Sequence, residues 1–141
     1  MIIQKFKELK VDTNRQKLVD ISKIIDNFVK DSKITNGIIN ISILHTSASL
    51  IIQENASKDV LIDLENFFNK LVPMNENLYS HILEGKDDMP AHIKTVLTNT
   101  NLTLSIINNY LKIGTWQGIY LFEHRIEKHL RSVFCHIIGE I

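Results

Sequence analysis

Apolar positions recur along the chain with two periods, and each change of period marks an element. Residues 2–11 carry β-branched and aromatic side chains without sustained helical spacing, which predicts a first strand. Beyond the turn chemistry of Asp12-Thr13-Asn14, Leu18, Ile21, Ile25 and Phe28 fall at helical spacing with polar residues between them, as in an amphipathic helix of about four turns. Asn36-Gly37 ends that helix, and Ile39, Ile41, Ile43 and His45 then alternate onto one face of a second strand. Thr46-Ser47-Ala48-Ser49 leads into Leu50-Ile51-Ile52-Gln53, read as its hairpin-like partner. Ser57 is placed to cap a second helix whose stripe Val60, Leu61, Leu64, Phe67, Phe68 and Leu71 is expected to be buried, and Pro73 stops it.

Residues 74–89 have no periodicity and many polar groups, a length of loop that a compact domain keeps mainly for function. A short third helix is expected around Pro90, capped by Asp87 or Asp88 and carrying His92 and Lys94 in its first turns. Leu102–Ile107 predicts a strand, with Asn108-Asn109 turning it into Leu111-Lys112-Ile113. In Gly114–Arg125, Trp116, Gly118, Tyr120, Phe122 and His124 share one face and Thr115, Gln117, Ile119, Leu121 and Glu123 the other, so both faces are largely apolar and the strand is central. Residues 131–138 make the last strand. The order β-α-β-β-α-α-β-β-β describes an α+β fold over residues 1–141, one domain with mixed or antiparallel sheets and helices packed on the sheet.

Composition narrows the partners. At 141 residues with 44% apolar, 23% charged and no formal net charge, the chain reads as an ordinary globular domain. No basic run or stripe suggests nucleic acid, and no apolar run approaches the roughly 20 residues that cross a bilayer. The single Cys135 and an N-terminus without signal-peptide character point to the cytoplasm.

Four of the six histidines, His45, His81, His92 and His124, stand at strand ends, in the polar loop or at a helix start. None forms a tight ligand pair such as HExxH, so the metal reading rests on their common placement. Three imidazoles meeting at one point would hold a zinc-like ion and leave a position open for water or substrate. Glu123, Asp87, Asp88 and Glu84 are the carboxylates placed to add a ligand or move a proton. Ser47 and Ser49 lack the Gly-x-Ser-x-Gly elbow of a hydrolase nucleophile, which leaves Thr46, Ser47 and Ser49 either as donors to a substrate anion or simply as turn residues, with the Gln117 amide as a further ligand-facing group.

Three stretches together carry a resemblance: His45-Thr46-Ser47-Ala48-Ser49-Leu50 with Glu54-Asn55, Glu84-Gly85-x-Asp87-Asp88-Met89-Pro90-x-His92-Ile93-Lys94, and Gly114-Thr115-Trp116-Gln117-Gly118-Ile119-Tyr120-Leu121-x-Glu123-His124-Arg125. In this order the chain resembles the YjbQ family, whose members are often labelled secondary thiamine-phosphate synthases. The resemblance implies a small cytoplasmic α+β homotrimer with a histidine-lined metal or anion site. On matching positions His45, His92 and His124 are its first ligand candidates, with His81 also at a family-like position. It implies a divalent cofactor, zinc-like, with magnesium or nickel as alternatives, and a small phosphorylated substrate that Lys94 and Arg125 would suit. Ile126-Glu127-Lys128-His129-Leu130 after Glu-His-Arg and Thr98-Asn99-Thr100-Asn101 depart from the glycine-containing turns expected in the family. Three functions remain open: a thiamine-phosphate-forming transferase, a metal-dependent hydrolase of a small ester or phosphate, and a non-catalytic binding module.

Overall fold

Alternation in the strand Gln117–Glu123 divides the interior in two. This strand (β7) is the middle of a three-stranded antiparallel sheet in a computed structural model that describes residues 1–141, between β2 (Lys17–Asp20) and β4 (Ala48–Glu54). Ile119 and Leu121 point into the main core, whereas Tyr120 and Phe122 point the other way and form a second cluster with Leu18. Facing the main core is a five-stranded antiparallel sheet, ordered β1 (Ile2–Thr13), β8 (His129–Glu140), β3 (Asn36–Ile43), β5 (Asn101–Ile107) and β6 (Tyr110–Leu111). Its inner face supplies Leu9, Val11, Ile39, Ile41, Ile43, Val133, Cys135 and Ile137, with Ile25, Phe28 and Val29 of helix α1 (Ser22–Ser32) added to them. Helix α2 (Lys58–Leu71) covers the other face of the small sheet through Leu61, Leu64 and Phe68, and α3 (Asp88–Leu97) lies beside β4.

The fold is α+β as expected, with both sheets wholly antiparallel, and four local expectations change. Leu18 is a strand residue: Lys17–Asp20 pairs with β7, and the Asp20 carboxylate accepts from the Ser22 backbone N–H, so α1 begins only there. β3 and β4 are not a hairpin pair. The chain bends at Thr46-Ser47 and crosses from one sheet to the other, so β3 pairs with β5 and β8 while β4 pairs with β7. A third of the α2 stripe is uncovered, with Phe67 57% and Leu71 53% exposed. Finally, neither Asp87 nor Asp88 caps α3 through its side chain, because both carboxylates are drawn to Arg125. The Asn108-Asn109 turn is as the sequence indicates, with both residues at positive φ (53° and 65°).

Gly37 and Gly139 face each other across β3 and β8, and the backbones there approach so closely that a Cβ on Gly139 would lie 2.3 Å from the Asn36 carbonyl. Gly139→Ala is expected to force these central strands apart and lower stability by about 1–3 kcal/mol in urea unfolding, with an unchanged slope.

Candidate metal and anion site

The site is assembled where β7 ends. Because successive strand residues face opposite ways, Glu123 points between the sheets and His124 points toward the helices, one residue apart. Glu123 is fully buried. One of its oxygens accepts from the Thr13 hydroxyl and Arg131 Nε (2.7 Å), and the other from the Arg131 terminal nitrogen and the backbone N–H groups of His124 (3.0 Å) and Arg125. Burial alone would push its pKa up; the Arg131 guanidinium and the Thr13 hydroxyl outweigh that and hold it below 4.5. Arg131 also donates to the Ser47 carbonyl and hydroxyl at 3.1 Å each, so Ser47 anchors the crossing between β3 and β4.

Arg125, the next residue but one, reaches outward into the 74–89 segment. Its Nε donates to Asp87 (2.9 Å), one terminal nitrogen to Asp88 (2.7 Å) and the other to the Glu84 carbonyl (2.9 Å). Asp87 also accepts from the Ile126 backbone N–H. This bracing closes the loop around Gly85, whose φ of +106° suits glycine alone.

Asp88 is 2% exposed and uses its second oxygen on two histidines, His81 Nε2 at 2.6 Å and His92 Nε2 at 3.1 Å. The three ligand atoms lie within 4.8 Å of one another. Asp88 and His92 meet because they are four apart on one helix face. His81 joins them from the loop, its pKa raised by the hydrogen bond to Asp88. The other ring nitrogen of His92 lies 2.9 Å from the Thr46 carbonyl, to which only its N–H can donate. That bond leaves the Nε2 lone pair facing the Asp88 oxygen, an arrangement favourable only with a proton or a cation between them.

The chain therefore brings together His81 and His92 of the expected ligands, with Asp88, but not His45 or His124. His45 Nε2 accepts from the Ser132 backbone N–H at 2.8 Å, and burial followed by the Arg131 charge lowers its pKa. His124 is 1% exposed, hydrogen-bonded through Nε2 to Ser49 Oγ (2.8 Å), with its pKa driven down to about 3 by burial and then by Lys94 and Arg131. Lys94 itself is 2% exposed and donates to Asn69 Oδ1 at 2.6 Å. Gln117 stands at the opposite end of β7, about 23 Å from His124 at strand spacing, where its side chain closes a turn on the Gly114 N–H. Thr46 reaches the cluster through its backbone alone, while the Asp87 and Glu123 carboxylates hold arginines in place.

Arg131 was absent from the sequence-derived candidates, although a signal for it existed. It shares the inward face of β8 with Val133, Cys135 and Ile137, and a charge in an apolar row requires a buried partner.

Glu123→Gln is expected to strand the Arg131 guanidinium beside a neutral amide and lower stability by about 3–5 kcal/mol. Since the folded-state pKa of Glu123 is depressed, its contribution is complete above the ordinary value of 4.5 and is lost as pH falls through the lower folded value. Denaturant unfolding should accordingly show wild-type stability declining below pH 4.5, with a flatter profile for the variant.

With this geometry in view, the similarity to known proteins is extensive. The profile of the family described as UPF0047 protein YjbQ-like matches residues 7–140. A UPF0047 protein of Synechocystis is 46% identical over 133 residues, covering 94% of this chain and 90% of its own, and UPF0047 protein YjbQ of Escherichia coli O157:H7 is 40% identical over 118 residues, covering 84% and 85%. Among solved structures, a YjbQ/UPF0047 family protein of Clostridium acetobutylicum superposes with a TM-score of 0.83 at 34% identity, covering 94% of this chain and 98% of its own. A YbjQ-like protein of unknown function from Sulfolobus solfataricus gives a TM-score of 0.91 at 25% identity, covering 99% and 100%. The chain belongs to the YjbQ-like UPF0047 family.

Proposed function

We propose that His81, Asp88 and His92 form a divalent-cation centre and that the protein is an enzyme acting on a small phosphorylated substrate. The observation that carries this reading is the meeting of two imidazole nitrogens and one carboxylate oxygen within 4.8 Å, with His92 oriented by the Thr46 carbonyl and Asp88 by Arg125. A two-histidine, one-carboxylate set suits zinc or nickel better than magnesium, which prefers oxygen ligands, and it leaves coordination positions for water or substrate. A bound cation would supply Lewis-acid activation of a phosphoryl oxygen or of water. Asp87 and Asp88 hold Arg125 in a fixed orientation, and Arg125 in turn holds the loop bearing His81 against the helix.

The transferase implied by the family resemblance would join a pyrimidine diphosphate to a thiazole phosphate and release pyrophosphate. The nitrogen-rich donor set favours a second reading, a metal-dependent hydrolase of a small ester or phosphate, because pyrophosphate release is ordinarily served by magnesium. Zinc titration calorimetry tests the centre: His92→Ala is expected to weaken zinc binding by more than about 100-fold, and a wild type that binds neither zinc nor nickel would end the proposal. Rescue of a thiamine auxotroph by wild type and not by His92→Ala favours the transferase, and zinc binding without rescue favours the hydrolase.

The homotrimer implied by the resemblance gains support from apolar surface that the single chain leaves uncovered, Phe67 and Leu71 on α2 and Val96 (82% exposed) and Leu97 on α3. Sedimentation equilibrium should give three times the 16.3 kDa chain mass for wild type and a smaller particle for Phe67→Asp.

A further inference from the structure

Helix α3 has a second chemical face. Lys94 lies two residues beyond His92, about 200° around the helix, and so points away from the histidine cluster. There, between α2, α3 and the end of β7, lies a cavity of about 200 Å³. Its floor is Lys94 and His124, both nearly inaccessible, and its rim is Arg15, Gln16, Asn66 and Asn69. At this size it fits a compact group better than a drug-sized ligand.

The cavity holds polar groups that the protein does not satisfy. Lys94 has three donors and one partner, Asn69, and no carboxylate lies within ion-pair distance of its ammonium. His124 Nδ1 is buried with no partner at all. Thr98 Oγ1 donates its one proton to the Lys94 carbonyl (2.8 Å), so it accepts from Ser49 Oγ (2.6 Å), Ser49 Oγ accepts from His124 Nε2–H (2.8 Å), and Nδ1 carries the ring's lone pair. Of the acidic residues along the wall, Glu123 is paired with Arg131, and Glu65 accepts from the Leu18 backbone N–H through one oxygen. What remains is the Lys94 ammonium without a counter-charge at the floor and the exposed Arg15 guanidinium at the rim, beside one unfilled acceptor, His124 Nδ1.

We propose that this cavity is a binding site for a small oxyanion, a phosphate or carboxylate group, held by Lys94 and Arg15 beside the His124 imidazole. It is separate from the His81–Asp88–His92 centre and does not depend on it. An oxyanion supplies the negative charge and the acceptor lone pairs that these donors lack, and charge-assisted bonds of this kind are the strong ones. Gln16 holds the His124 carbonyl at 2.9 Å and fixes the wall from which the imidazole projects.

The test is binding of inorganic phosphate, and separately of acetate, to the full-length protein at constant ionic strength, followed by thermal shift and by the nitrogen chemical shifts of His124. At least one anion is expected to raise the melting temperature saturably and to move the Nδ1 resonance of His124. The stronger of the two identifies a phosphorylated or a carboxylate ligand. Lys94→Met should raise the melting temperature without anion, since it removes an uncompensated buried charge, and should abolish the anion-dependent rise. Arg15→Gln, at the exposed rim where folding is not at risk, should weaken binding by about tenfold or more, the loss of one charge-assisted contact. His92→Ala should leave the anion response intact, which separates this site from the metal centre. No saturable response to either anion in wild type, or an undiminished response in both Lys94→Met and Arg15→Gln, overturns the proposal.

Discussion

The buried pair of Glu123 and Arg131 is the constraint on which the rest of the architecture depends. It joins the end of β7 in the small sheet to β8 in the large one, and through Thr13 and Ser47 it also holds the end of β1 and the crossing between sheets. Two charges removed from water are stable only when their hydrogen bonds are nearly complete, so the geometry around them is narrowly defined. That definition is transmitted along the backbone: the same carboxylate accepts from the N–H groups of His124 and Arg125, which sets the points where these two side chains leave the strand.

From there the two residues organise different surroundings. His124 turns under the helices into a place too dry for its charged form, and its Nε2 is tied to Ser49. Arg125 turns toward the irregular segment and gathers Asp87, Asp88 and the Glu84 carbonyl. Without that guanidinium the two adjacent carboxylates would repel each other and the loop would have little apolar surface to hold it. With it, His81 is carried to within hydrogen-bond distance of a helix residue. Helix α3 then separates two kinds of chemistry on two faces, nitrogen and carboxylate donors on one and a buried ammonium on the other.

The chain by itself determined the composition of each strand face. Alternation in Gln117–Glu123 requires two apolar surfaces, and the main core and the α2 cluster are those surfaces. The strand with Ile39, Ile41 and Ile43 and the Asn-Asn turn were legible for the same reason, because local geometry fixes which side chains share a side and which residues tolerate positive φ. So was the placement of His45 and His124 just beyond the ends of strands. What periodicity could not supply was pairing across the chain. Leu18 fits a helix or a strand equally by spacing, and only its position against Phe122 makes it a strand residue. His45 ends an apolar row just as His124 does, yet one accepts from a neighbouring strand and the other lines a cavity under the helices. The partner of Glu123 is eight residues away and the partner of Lys94 is twenty-five, separations that no local pattern encodes. Tertiary structure decided these matters because a hydrogen bond or an ion pair is fixed by distance in space, and hydrophobic patterning specifies only which face of an element turns inward.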